Sequence, residues 1–181
     1  MVQVAKISRA CVDDAEIISL LGRLTFVETF GYLFNNHKDD LDEYLDQTFN
    51  VCKITASLKK EENTLWLARW DGLPIGYAKF KNGSTTAVLP KRNVGQLQKI
   101  YVLRQFLFRG AGALLLKEVL AHAESREALT VWLAVLAANT TAIGFYEKHG
   151  FNRTAPDSYS IGAQTFKFTL MSRSIWSDFT I

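Results

Sequence analysis

Eight apolar residues in a row, Val131 to Ala138, form the longest uninterrupted apolar stretch of this 181-residue chain. A membrane helix needs roughly 20 such residues. A buried strand needs about this many, and a strand covered on both faces is apolar without alternation. A helical pattern precedes the run over residues 110–126, with Leu114, Leu115, Val119 and Ala123 inward. Another follows over residues 139–149, and Gly150 stands where a helix commonly stops. Helix, strand and helix around one continuous apolar strand imply a sheet with helices packed on it.

The rest of the chain fits that frame. Residues 2–8 read as a strand. Asp13 stands three before Glu16, like a capping box, and Ile17, Leu20, Leu21 and Leu24 follow at helical spacing. Leu41, Tyr44, Leu45 and Phe49 mark a second helix, and Ile54 with Leu58 a third. Two β-rich runs, 64–70 and 73–80, flank Asp71-Gly72, a two-residue hairpin signal. Residues 96–102 read as a strand, and 164–171 alternate with Phe166, Phe168 and Leu170 on one face. The expectation is an α/β (α+β) fold in one domain spanning 1–181, with a mixed sheet.

Composition narrows the function. With 48% hydrophobic residues there is material for a core. Lys and Arg number 21 against 18 Asp and Glu, a net charge of +3. That is too mild to imply nucleic acid, and the basic residues, including Lys167 and Arg173, are dispersed. Cys11 and Cys52 form no C-x-x-C, so no zinc or other metal site is expected. The first residues alternate and lack a signal-peptide core, so a cytoplasmic protein without a membrane segment is expected.

The chemistry concentrates after the 96–102 strand. Phe108-Arg109-Gly110-Ala111-Gly112-Ala113 opens a helix. Small residues let backbone N–H groups face outward, and a helix N-terminus carries unpaired amides and partial positive charge. Arg109 adds a full charge. The turn is either an anion site suited to phosphates or an ordinary helix start with two permissive glycines. It matches neither a P-loop nor a dinucleotide fingerprint, because Leu115 stands where the third glycine belongs.

Asn139, Ala142, Phe145, Tyr146, Gly150 and Phe151 are spaced as N-x-x-A-x-x-F-Y-x-x-x-G-F. This resembles the signature of the GNAT superfamily of N-acetyltransferases. The Arg109–Gly112 turn resembles that family's acetyl-CoA motif, Q/R-x-x-G-x-G/A. Thr29-Phe30-Gly31, Leu41–Leu45, Ile75–Lys79 and Leu97–Leu103 resemble the PaiA-type spermidine/spermine acetyltransferases. The resemblance implies the GNAT fold and direct attack of a primary amine on acetyl-CoA in a ternary complex. It implies that Ile100, Tyr101 and Val102 pair with the pantetheine arm, and that the N–H of Val102 polarises the thioester carbonyl. It implies that Leu107, Phe108, Arg109, Gly110, Ala111, Gly112 and Ala113 hold the pyrophosphate. Asn139, Ala142, Phe145 and Lys148 would complete the cofactor site, with Tyr146 protonating the leaving thiolate. Leu107 replaces the motif's Gln or Arg, and Phe108 a common glycine, so a reshaped phosphate loop is expected.

The acceptor side is less defined. An amine of pKa about 10.4 must lose a proton to react. Many relatives supply a glutamate, but here Gln96 and Gln98 stand there. A water relay ordered by Gln98, Glu28 or Tyr77 is the substitute, with Phe30 beside them. Glu28, Asp39, Asp40, Asp42, Glu43 and Asp46 form an acidic run. It is either an acceptor wall for a polyamine or a solvated helix face with Asp39 and Asp40 as caps. Other acceptors, namely an antibiotic amine, an amino acid or a protein N-terminus, stay open, as does a non-catalytic CoA-binding regulator. The apolar stretch 168–181 is compatible with a homodimer, and the oligomeric state stays open.

Overall fold

In a computed structural model, residues 4–89 and 92–175 are described. Strands are β1 (Lys6–Arg9), β2 (Asn63–Trp70), β3 (Leu73–Asn82), β4 (Val94–Val102), β5 (Thr130–Leu136), β6 (Asn152–Ile161) and β7 (Gln164–Ser174). Helices are α1 (Ala15–Phe30), α2 (Lys38–Thr48), α3 (Val51–Leu58), α4 (Ala111–Ser125) and α5 (Thr140–Lys148). The strands hydrogen-bond in the order β1-β2-β3-β4-β5-β7-β6. The sheet is mostly antiparallel, with β4 and β5 parallel.

The chain forms two compact units. One comprises the chain up to Phe80 together with Lys99–Val119. In it, Asp71 (φ 49°) and Gly72 (φ 83°) turn β2 into β3 with two left-handed residues, as a twisted hairpin requires. Ala15, Ile18 and Leu21 of α1 and Ile54 of α3 pack with Leu65, Leu67 and Tyr77 of the strands. Each such fully buried aliphatic contributes about 1.5–3 kcal/mol. The expected phase of α1 was off. Leu20 and Leu24 are exposed, and Ile18, Ser19, Gly22, Thr25 and Phe26 face inward instead. Gly22 and the two hydroxyls read as polar in the sequence. Gly22 is small because Phe49 lies against it: a Cβ there would meet Phe49 Cε1 at 2.8 Å. Ser19 donates to the Phe49 carbonyl and Thr25 to Leu21 O at 2.6 Å, so both hydroxyls are buried with partners.

The start of this helix also differs. A 3-10 turn, Val12–Asp14, precedes α1, and Asp14 rather than Glu16 reaches back, accepting from Cys11 N at 2.9 Å. Asp39 and Asp40 are not caps of α2. His37 holds the N-cap position, and the two acids sit in the first turn, where the helix dipole favours them. Taken with its flanking 3-10 turns, Val12–Phe34 is long and apolar enough to span a membrane by length and composition, with mean hydropathy 1.4. Counting only uninterrupted apolar residues missed this. Its inner face packs on the core of the unit, as a core helix does.

The other unit comprises Lys81–Gln98 and the chain from Leu120 onward. The β4–β5 ladder has three pairs, Val94 with Thr130, Gly95 with Val131 and Gln96 with Trp132. β5 then pairs along its whole length with β7, Thr130 opposite Ser174 through Leu136 opposite Phe168. The apolar run is thus a central strand of seven residues, with Val131, Leu133, Val135 and Leu136 buried. β6 was not delimited from the sequence. It is almost wholly exposed, so no apolar alternation marks it. Trp176 and the C-terminal part of the stretch expected at a dimer interface lie outside the described residues.

Candidate active site

In the first unit, the end of β4 is locked to β3. Leu103 N donates to Ile75 O at 2.8 Å. Gly76 lies against the carbonyl of Tyr101, and a Cβ there would approach Val102 Cα to 3.0 Å. Only a glycine lets the strands meet so closely at Tyr101-Val102. A 3-10 turn, Arg104–Phe106, then leads into the glycine-rich segment.

Phe108 (φ 61°) and Gly110 (φ 85°) are both left-handed. Phe108 takes the conformation a glycine would take there, at a cost of about 1–2 kcal/mol. Its ring is 90% exposed, so burial returns nothing. The first helical bond of α4 runs from Leu114 N to Gly110 O at 3.0 Å. The N–H groups of Ala111, Gly112 and Ala113 therefore have no acceptor within the helix. Three such donors beside small side chains fit a pyrophosphate. Arg109 does not project freely. Its guanidinium carbon stands 5.6 Å from the Trp70 ring centroid and 5.5 Å from that of Phe106. Trp70 thus holds a cation as well as packing.

The same unit carries an aromatic cluster on the side of α1 and α2. Phe26 meets Phe30 at 4.9 Å, Tyr44 at 4.7 Å and Phe49 at 5.8 Å between centroids. Phe30 meets Tyr101 edge-on at 6.5 Å, and Tyr101 meets Tyr77 at 5.9 Å. The structure therefore brings Phe30 and Tyr77 together through Tyr101. Tyr77 is fully buried, and its hydroxyl has no hydrogen-bond partner. Burial, then Tyr101 and Tyr44, push its pKa well up, so it is a neutral donor. Glu28 is engaged elsewhere. Its Oε2 accepts from Arg104 N at 2.9 Å, and the Arg104 guanidinium donates to its carbonyl.

Lys99 was not singled out in the sequence. Its Nζ stands 4.7 Å from the Phe49 ring centroid. Burial lowers its pKa to about 8, with Lys79 and Lys53 adding repulsion. The acidic run does not answer it: Asp46 pairs with Arg23 at 2.8 Å, and Glu43 accepts from Gln47 at 2.7 Å.

In the second unit, Gln98 donates to Gln96 Oε1 at 3.2 Å, and Ser84 donates to the same oxygen at 2.8 Å. Gln98 is thus part of a side-chain chain of its own. Asn139 caps α5, its Oδ1 accepting from Ala142 N at 3.1 Å. At the other end, Phe151 N donates to Tyr146 O and Gly150 N to Glu147 O, both at 3.0 Å, with Gly150 at φ 81°. That is a Schellman stop. The rings of Tyr146 and Phe151 close it at 5.8 Å. Phe145 packs on Tyr146 at 5.4 Å and on His149 at 4.4 Å. Lys148 is exposed. Tyr146 is 8% exposed, and burial raises its pKa, so its proton is held more tightly than in a free phenol.

Known proteins share this architecture and sequence. The chain is 29% identical over 137 residues to an uncharacterized N-acetyltransferase of Mycobacterium bovis, covering 76% of this chain and 83% of that one. It is 29% identical over 153 residues to an N-alpha-acetyltransferase of Sulfurisphaera tokodaii, covering 81% and 79%. The crystal structure of PaiA N-acetyltransferase from Thermoplasma acidophilum in complex with coenzyme A superposes with a TM-score of 0.75 at 17% identity, covering 94% of this chain and 98% of that one. The sequence model of the Acetyltransferase (GNAT) family matches residues 26–151, a span that includes the glycine-rich turn and the whole Asn139–Phe151 signature. The chain belongs to the GNAT family of N-acetyltransferases.

Proposed function

We propose that this enzyme moves an acetyl group from acetyl-CoA to a primary amine in a ternary complex, within one catalytic domain. The observation that carries the reading is the start of α4: three unsatisfied N–H donors preceded by two left-handed residues. Bound acetyl-CoA supplies the activated acyl group. Ala111, Gly112 and Ala113 hold its pyrophosphate, and the backbone of Ile100, Tyr101 and Val102 lines its pantetheine arm. Val102 N–H polarises the carbonyl that the amine attacks. Tyr146 donates a hydrogen bond to the sulfur as the thiolate forms. Because a thiol near pKa 8.5 is the stronger acid, the phenol keeps its proton, and the thiolate is neutralised by the proton that the attacking amine loses. A cytoplasmic location and a homodimer go with this reading.

A polyamine acceptor rests on the acidic run. Two observations weigh against it: Asp46 is already paired with Arg23 and the Glu28 carboxylate accepts the Arg104 backbone N–H, and the aromatic cluster presents a lysine. The acceptor is therefore a primary amine. Thermal unfolding with and without acetyl-CoA, followed by thiol release across a panel of amines, tests the reading. A stabilising shift with turnover supports it. A shift without turnover on any amine favours a CoA-binding regulator.

A further inference from the structure

Building on the acetyltransferase reading, we propose that Lys99 holds a carboxylate on the acceptor, so that the substrate is an amine carrying a carboxylate several bonds away, an amino acid or short peptide, and not a polycation. Lys99 lies on β4, three residues before Val102, which is about 10 Å of strand. Its ammonium rests on Phe49 at 4.7 Å and makes no ion pair or hydrogen bond among the described residues. A partly buried charge without a counter-charge is costly, and such groups are candidates for functional sites.

Two further cations act on Lys99. Lys79 on β3 and Lys53 on α3 add positive potential at Lys99. The titratable groups of the neighbouring cluster are Tyr77 on β3, Tyr101 on β4 and Tyr44 on α2. None is a carboxylate. Three acids of the unit already have partners: Asp46 pairs with Arg23 at 2.8 Å, the Glu28 carboxylate accepts the Arg104 backbone N–H at 2.9 Å, and Asp40 lies against His37 at 3.6 Å. Tyr77 adds a second unmet demand, a fully buried hydroxyl with no acceptor. A cation with no ion pair and a phenol with no hydrogen-bond partner, in one aromatic cluster, call for an anionic acceptor of hydrogen bonds. A polyamine would bring further positive charge into that field.

The test compares matched acceptors on the full-length enzyme: 4-aminobutyrate with its amide, glycylglycine with its amide, and spermidine. The expected result is a preference for carboxylate over amide of about 10-fold or more in kcat/KM, the range of a charge-assisted hydrogen bond. In Lys99→Met that ratio falls to near one while acetyl-CoA affinity is unchanged; Lys99→Arg retains it. Lys99→Met also melts higher than wild type, which a structural lysine would not do. No carboxylate preference in wild type, its survival in Lys99→Met, or spermidine as the best acceptor overturns the proposal. So does acetyl-CoA binding without turnover of any carboxylate-bearing amine, which leaves the acetyltransferase reading intact. Failure to bind acetyl-CoA removes both. Should Lys99→Met not fold, the wild-type carboxylate-to-amide ratio decides alone.

Discussion

Tyr146 is a phenol whose proton burial has tightened. Removing the hydroxyl leaves its ring packing on Phe145 and Phe151 in place. Tyr146→Phe should therefore fold as well as wild type and lose roughly 10²-fold in kcat, the lower range for removing one hydrogen-bond donor to a developing charge. An unchanged kcat with normal melting would remove Tyr146 from the chemistry. Lys99 makes the opposite trade. Its pKa is near 8 in the folded chain against 10.5 unfolded. Between those values the unfolded chain binds more protons, so stability rises with pH across that window and the full cost applies below pH 8. Lys99→Met should thus raise stability at pH 7 by about 1–3 kcal/mol, or several degrees, and lose that advantage toward pH 10. Equal melting of the two proteins at both pH values would contradict this. The sequence singles out Tyr146 because the spacing around it is specific. It does not single out Lys99, because an isolated lysine in a strand pattern looks like any solvent-facing lysine. What marks it is Phe49, fifty residues earlier, folded underneath it.

At the level of elements, much of the Asn139–Phe151 signature is helix punctuation. Asn139 is the N-cap of α5, Gly150 its left-handed stop, and Phe151 the ring that seals the stop against Tyr146. This separates two roles for Asn139. Asn139→Ala loses the cap, about 1 kcal/mol. Asn139→Asp keeps a cap acceptor but replaces the amide. Normal melting with weakened acetyl-CoA binding in Asn139→Asp would assign the amide to the pantetheine, and normal binding would leave it as a cap alone. The β3–β4 junction makes a second case. Gly76→Ala puts a methyl against the Tyr101 carbonyl and Val102 Cα, prising apart the strands that hold Val102 N–H. Lower melting together with a loss of kcat is expected, and wild-type turnover would show that the junction can yield. Helices α2 to α5 and the Asp71-Gly72 hairpin were readable because local patterns encode them. The phase of α1 and strand β6 were not. The first depends on Phe49 fitting over Gly22, and the second is held almost wholly by backbone pairing to β7.

For the molecule as a whole, the family match over residues 26–151 runs through both compact units. One thermal transition is therefore expected, and acetyl-CoA should move it as a single step. Two separable transitions, only one of them shifted, would mean the units melt independently. The sheet order leaves β1, four residues long, at one end and β6, ten residues long, at the other. A long exposed strand end is an invitation to add another chain. β6 is interrupted by a register shift between Arg153 and Ala155, and by Pro156, which has no N–H to offer. Those two irregularities bear on a property unrelated to acetyl transfer: how concentrated a solution of this protein can become before it clouds. A chain with Pro156→Val, which removes one of the two, should scatter light at lower concentrations than the native sequence.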